Sequence, residues 1–135
     1  DGSLSVFAWI KGAAPVQVII SQIDGTRGVG SAWLCTDPSD GRLITKLMHP
    51  PFSPLESESV ITDGMWHHVG VVYDFDGLYR CLYLDGVEVA KDISPVAAVG
   101  TDAGLYIGAD KSLEAATFFS GLIDDVRIYN RAVNP

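Results

Sequence analysis

The chain has 135 residues, of which 47% are hydrophobic and 19% charged, and carries a formal net charge of −8. That length suits one domain with a sizeable core, and the composition is globular, not disordered. Seventeen acidic against nine basic residues argue against a nucleic-acid or anionic-membrane partner, both of which need clustered Lys and Arg, and no apolar run approaches the ~18 residues of a membrane span.

Asp-Gly pairs open at Asp1, Asp24, Asp40, Asp63, Asp76 and Asp85. They are strong turn signals, because Gly accepts positive φ and Asp bonds its local backbone. Between them lie runs of β-branched and aromatic residues with period two, the mark of half-buried strands. Strands are expected at 4–11, 17–22, 31–36, 42–48, 57–61, 66–74, 79–84, 87–91, 105–108 and 121–129. The proline-bearing stretch from His49 to Pro54 is expected to be irregular, and Asp74-Phe-Asp-Gly77 to be a hairpin turn, not a calcium loop. No helical period stands out. Many short strands with regular turns indicate an all-β antiparallel sandwich or barrel. Cys35 and Cys81 both fall inside strand-like runs; they read as core thiols, with one disulfide between them the alternative, and no Cys/His cluster has zinc spacing.

In the last strand, Leu122, Asp124, Val126 and Ile128 share one face by period two, and Ile123, Asp125, Arg127 and Tyr129 the other. Asp124 then falls in the apolar row, where a carboxylate must be satisfied by N–H groups, a cation or a metal.

Five blocks in order resemble the laminin-G-like branch of the concanavalin A-like lectin/glucanase jelly rolls. Ser5-Val-Phe-Ala-Trp-Ile-Lys11 resembles the early "saWvk" strand. Trp66-His-His-Val-Gly-Val-Val-Tyr-Asp74 resembles "WHHVAvvyD", Leu82-Tyr-Leu-Asp-Gly-Val87 resembles "lYvDGv" and Leu105-Tyr-Ile-Gly108 resembles "l.iG". Phe119 to Ala132 resembles "f.G.iDdvriynraL". The resemblance covers essentially the whole chain and implies a two-sheet antiparallel jelly-roll β-sandwich over residues 1–135, excised from a larger secreted or cell-surface protein. It implies a non-catalytic binding module, with carbohydrate as the expected ligand. The alternative is a protein-interaction, structural or oligomerisation domain of an extracellular protein, without sugar binding. It further implies a structural calcium near Asp124, the first acid of the "iDd" block.

Sugar recognition needs an exposed aromatic face and polar groups for the hydroxyls. Trp33, which follows the Gly-rich stretch 24–30, is the first candidate. Tyr83 and Tyr106 are expected to be neighbours on one sheet face, with Arg27 at the rim, and Trp66 is expected in the core. His67 and His68 point to opposite faces of one strand and cannot chelate a metal together. Glu56-Ser-Glu58 lacks the further acids and aromatic flanks of a glucanase strand and reads as a solvated acidic loop. A glycosidase is therefore not expected.

Overall fold

The computed structural model describes residues 3–22, 31–47, 53–93, 104–109, 113 and 117–135. Ten strands form: β1 (Leu4–Gly12), β2 (Val18–Gln22), β3 (Ser31–Thr36), β4 (Arg42–Thr45), β5 (Leu55–Val60), β6 (Trp66–Asp74), β7 (Tyr79–Leu84), β8 (Val87–Ile93), β9 (Leu105–Ile107) and β10 (Gly121–Tyr129). They make two five-stranded antiparallel sheets, in the orders β10-β1-β6-β7-β8 and β5-β4-β3-β2-β9. The sheets pack face to face as a jelly-roll sandwich, and the described residues hold no α-helix.

Asp40, Asp63, Asp76 and Asp85 lie at turns or bends between strands, and the pairs at Asp1 and Asp24 lie outside the described residues. At the β7–β8 hairpin, Asp85 and Gly86 both have positive φ, 50° and 82°. That is the two-residue primed turn whose twist matches its strands. At the β6–β7 turn the Gly77 N–H donates to Asp74 Oδ1 at 2.8 Å, so Asp74-Phe-Asp-Gly77 is a turn. Glu56 and Glu58 are exposed, but they lie on a strand, β5, not in a loop.

The core is built from inward rows of both sheets. Val6, Ala8 and Ile10 of β1 and Val69, Val71 and Tyr73 of β6 meet Ile20, Leu34 and Leu43 of the second sheet. Each fully buried Leu or Ile contributes about 1.5–3 kcal/mol relative to exposure. One charge lies among them. Arg80, 2% exposed, pairs with Asp92 through Nε to Oδ1 at 2.8 Å and Nη2 to Oδ2 at 2.9 Å. Its Nη1 donates to the Leu47 carbonyl at 2.6 Å and its Nη2 to that of Ser53. The guanidinium thus ties β7 and β8 to the chain on either side of the β4–β5 connection, at the flank where β5 and β8 approach.

The expected faces of β10 need correction. β1 pairs with β10 as Phe7 with Arg127 and then Trp9 with Asp124, leaving an extra β10 residue opposite Ala8. Asp125 sits there at φ 48°. This is a β-bulge, and one extra residue reverses every following side chain. Ile123 and Val126 therefore both pack on the core, while Asp124 lies outward beside Trp9 and is exposed. It does not occupy the apolar row.

Candidate aromatic platform on the outer face of the first sheet

The outer face of β10-β1-β6-β7-β8 is the alternate set to the core row. Register aligns it in rows. Leu122, Lys11 and Trp66 form one; Asp124, Trp9 and His68 the next; Arg127, Phe7, Gly70 and Tyr83 a third; Tyr129, Ser5, Val72 and Cys81 a fourth. Phe7 is buried because Gly70, opposite it, has no side chain: a Cβ there would lie 2.2 Å from the ring. The Phe7 ring stacks on His68, with centroids 5.6 Å apart and planes 7° from parallel. Tyr83 and Tyr129 flank it at 6.4 Å each.

The lower half of this face is covered by the chain's own C-terminal segment. Ser5 Oγ donates to the Arg131 carbonyl at 2.7 Å and accepts the Val133 N–H at 2.9 Å. Tyr83 Oη donates to Asn134 Oδ1 at 3.4 Å, and Ala132 and Val133 pack beside Phe7 and Tyr83. Burial pushes the Tyr83 phenol up to about 12. The upper half is open. Trp9 is 40% exposed and Trp66 43%, and as diagonal cross-strand neighbours they stand roughly 7–8 Å apart. The Trp9 indole lies 5.1 Å from the His68 ring. Lys11 and Asp124, both exposed, flank the pair. Two flat apolar surfaces, an imidazole, an ammonium and a carboxylate are thus gathered on one rigid sheet face.

A polar clamp on the opposite side of β6 supports this end. His67 Nε2 lies 2.9 and 3.0 Å from the Asp63 carboxylate oxygens, and Nδ1 lies 3.1 Å from Asp85 Oδ2. Asp85 Oδ1 accepts the His68 N–H at 2.9 Å, and the Asp85 N–H donates to the His68 carbonyl at 2.7 Å. Burial alone would push the His67 imidazole down; the bonds to Asp85 and Asp63 outweigh it and raise it above its ordinary value. Asp63 is held low by the Met65 N–H and then by the His67 ring. Burial would raise Asp85, but the His68 N–H and the His67 ring hold it low.

The residues singled out in the sequence scatter. Trp33 is only 4% exposed and belongs to the core, with its indole N–H finding no acceptor among the described residues. It offers no stacking face, because the ring is packed in the core between the sheets. Tyr83 and Tyr106 lie in different sheets, since β9 pairs with β2, placing Tyr106 opposite Ser21. Tyr106 is half-buried. Arg27 lies outside the described residues. Trp66, expected in the core, is on the surface because it falls on the outer face of β6, at the strand's first position. Trp9 and Lys11 were not expected in a site, and His68 was considered only as unable to share a metal with His67. The signal for them was present: with Val69 and Val71 inward, the same alternation turns Trp66 and His68 outward.

Calcium takes six to eight oxygen ligands. Asp124 Oδ1 accepts the Asp125 N–H at 2.8 Å, and Asp125 Oδ1 accepts from Arg127 Nε at 3.0 Å. Among the described residues no three His, Cys, Asp or Glu side chains converge to hold a metal. The described donors do not fit a calcium cage. Cys35 and Cys81 are buried in different sheets and are not joined in a disulfide.

The family model of the concanavalin A-like lectin/glucanases superfamily, in its laminin-G group, matches residues 1–135. The chain belongs to that family. Among curated proteins none matches its sequence. This laminin-G-like chain is similar to several solved structures. The native heptameric SAP-like pentraxin from Limulus polyphemus aligns at TM-score 0.74 and 19% identity, over 98% of this chain and 65% of that one. Domain 4 of AbnA, a GH43 extracellular arabinanase from Geobacillus stearothermophilus, solved with arabinotriose, aligns at 0.75 and 23%, over 98% and 62%. The Ruminococcus gnavus IT-sialidase CBM40 bound to α2,3-sialyllactose aligns at 0.74 and 15%, over 98% and 78%. The laminin-G-like chain thus spans less than two thirds of the pentraxin and arabinanase-domain chains. At these identities the likeness is one of fold.

Proposed function

We propose that this domain is a non-catalytic glycan-binding module of an extracellular protein, and that the glycan lies on the open Trp9–Trp66 end of the first sheet. The observation that carries this reading is the pair of half-exposed tryptophans on one sheet face, with Lys11, His68 and Asp124 beside them. Indole faces receive the C–H surface of a sugar ring, and the polar neighbours receive its hydroxyls. The arabinotriose and sialyllactose complexes of two fold relatives support the ligand class. Among the described residues no helix is long and apolar enough to cross a membrane.

The test is a glycan array containing arabinotriose and sialyllactose, followed by calorimetry on variants. Trp9→Ala and Trp66→Ala are each expected to weaken binding by about 2 kcal/mol, some thirtyfold, as central aromatic anchors do. Tyr106→Ala and Arg27→Ala, on the second sheet and in the 23–30 segment, are expected to leave it unchanged. Loss with the latter pair and not the former moves the site to the second sheet. An array without hits, together with concentration-dependent association in light scattering, would favour the protein-interaction or homo-oligomer reading instead.

Calcium at Asp124 is decided by thermal melting in millimolar calcium against EDTA. The wild-type midpoint is expected to stay unchanged, and Asp124→Ala to remove about 1 kcal/mol through its lost bond to the Asp125 N–H. A calcium-dependent rise that disappears in Asp124→Ala would make Asp124 a metal ligand.

A further inference from the structure

His67 has a carboxylate on each ring nitrogen: Asp63 at Nε2 and Asp85 at Nδ1. Ionised carboxylates only accept hydrogen bonds, and a neutral imidazole carries one N–H. Both contacts are therefore satisfied only when His67 is doubly protonated. The three residues come from the β5–β6 turn, strand β6 and the β7–β8 turn. These two turns flank the strand end that carries Trp66 and His68. The first turn is also fastened to β1, through the Gly64 N–H and the Gly12 carbonyl at 2.9 Å.

We propose that His67 is a positioning residue, holding the Trp66–His68 end of the platform in its binding geometry while it bridges Asp63 and Asp85 as an imidazolium. This rests on the platform being the glycan site. The path is short. Asp85 uses one oxygen for His67 and the other for the His68 N–H, so loss of one ring proton opens the clamp at Asp85 or at Asp63 and loosens the strand end on which the His68 ring stacks against Phe7 and Trp9. Among the described residues the charged groups facing His67 are Asp63 and Asp85. On β1 its register partner is the apolar Ile10, and on β6 the His68 ring turns to the opposite face. The direction of the titrations agrees. The raised imidazole keeps the clamp closed below about 6.5 and releases it as pH rises through the folded-state value. The lowered carboxylates keep it closed above about 3.8 and release it only as pH falls below that.

Two readouts test this. NMR of the wild-type chain follows the His67 ring and the Trp66 indole N–H through pH 5–9. The expected result is one shared midpoint above 6.5. An imidazole titrating at or below 6.5, or a Trp66 signal that ignores it, overturns the proposal. Arabinotriose binding is then measured over the same range on wild type and His67→Gln. Wild-type affinity should fall about fivefold across the midpoint, the low end of ordinary coupling between sites. His67→Gln, which keeps a donor but cannot titrate, should lose the affinity change at the His67 midpoint, and any change that remains belongs to the His68 ring on the platform. An affinity change at the His67 midpoint that survives in His67→Gln also overturns it. Failure of arabinotriose to bind at any pH removes the glycan reading of the site, while the NMR result still decides whether His67 positions Trp66.

Discussion

Arg80→Ala is expected to lower the free energy of unfolding by about 3–4 kcal/mol, within the range for breaking a buried ion pair. Three losses add. The Leu47 and Ser53 carbonyls lose their guanidinium donors, a fully buried side chain leaves a cavity, and Asp92 keeps its charge without its partner. Asp92 is 39% exposed on its side chain, so water recovers part of its solvation; this places the effect toward the lower end of that range. For a domain of this length the midpoint should fall by roughly 10 °C. Urea unfolding with an unchanged m-value measures it. The companion Arg80→Met with Asp92→Asn separates charge from packing. It refills much of the volume and removes the stranded carboxylate, and should recover about 1–2 kcal/mol of the loss. A change below about 1 kcal/mol in Arg80→Ala would mean that the guanidinium does not hold the β4–β5 connection to the first sheet.

Gly70→Ala is expected to be the next most damaging change, for a different reason. Glycine is required here by a side chain and not by backbone conformation. A methyl would meet two Phe7 ring carbons at 2.2 and 2.4 Å. A flexible neighbour could step aside, but Phe7 is pinned by His68, Tyr83 and Tyr129, with Val133 packed close by. Overpacking of this kind costs about 1–3 kcal/mol, and the crowding places it near 2. The near-ultraviolet circular dichroism should change with it, because the displaced ring belongs to the same aromatic cluster as Trp9. Unchanged stability would show that the C-terminal segment yields readily and that Phe7 is not locked.

Most of the architecture was legible because it is written in local signals. Period-two rows and Asp-Gly pairs locate strands and turns within a few residues, and the β7–β8 hairpin follows directly from Asp85-Gly86. What failed depended on distant partners. Period two assumes an uninterrupted ladder, so the bulge at Asp125 moved Asp124 from an expected apolar row to the open face. Trp33 and Trp66 exchanged places because burial is decided by which face of the sheet a ring takes: both β3 and β6 are central strands, but Trp33 packs between the sheets and Trp66 lies on the outer face. Tyr83 and Tyr106 were parted by the pairing of β9 with β2, some eighty residues earlier in the chain. The opposite facing of His67 and His68 was readable; that Asp63 and Asp85 close on His67 was not, although both belong to Asp-Gly pairs.

The bulge at Asp125 also bears on how copies of this domain can meet. β10 is the outermost strand of its sheet, and an outermost strand presents unpaired N–H and C=O groups to any passing chain. A left-handed residue in its middle breaks the even spacing that an incoming strand would have to match, and twists the ribbon away from flatness. Asp124, Asp125 and Arg127 add charge along the same stretch. A second molecule therefore finds no continuous template there, and growth of one sheet into the next through β10 is disfavoured. Self-association of this domain, where it occurs, is directed to other surfaces.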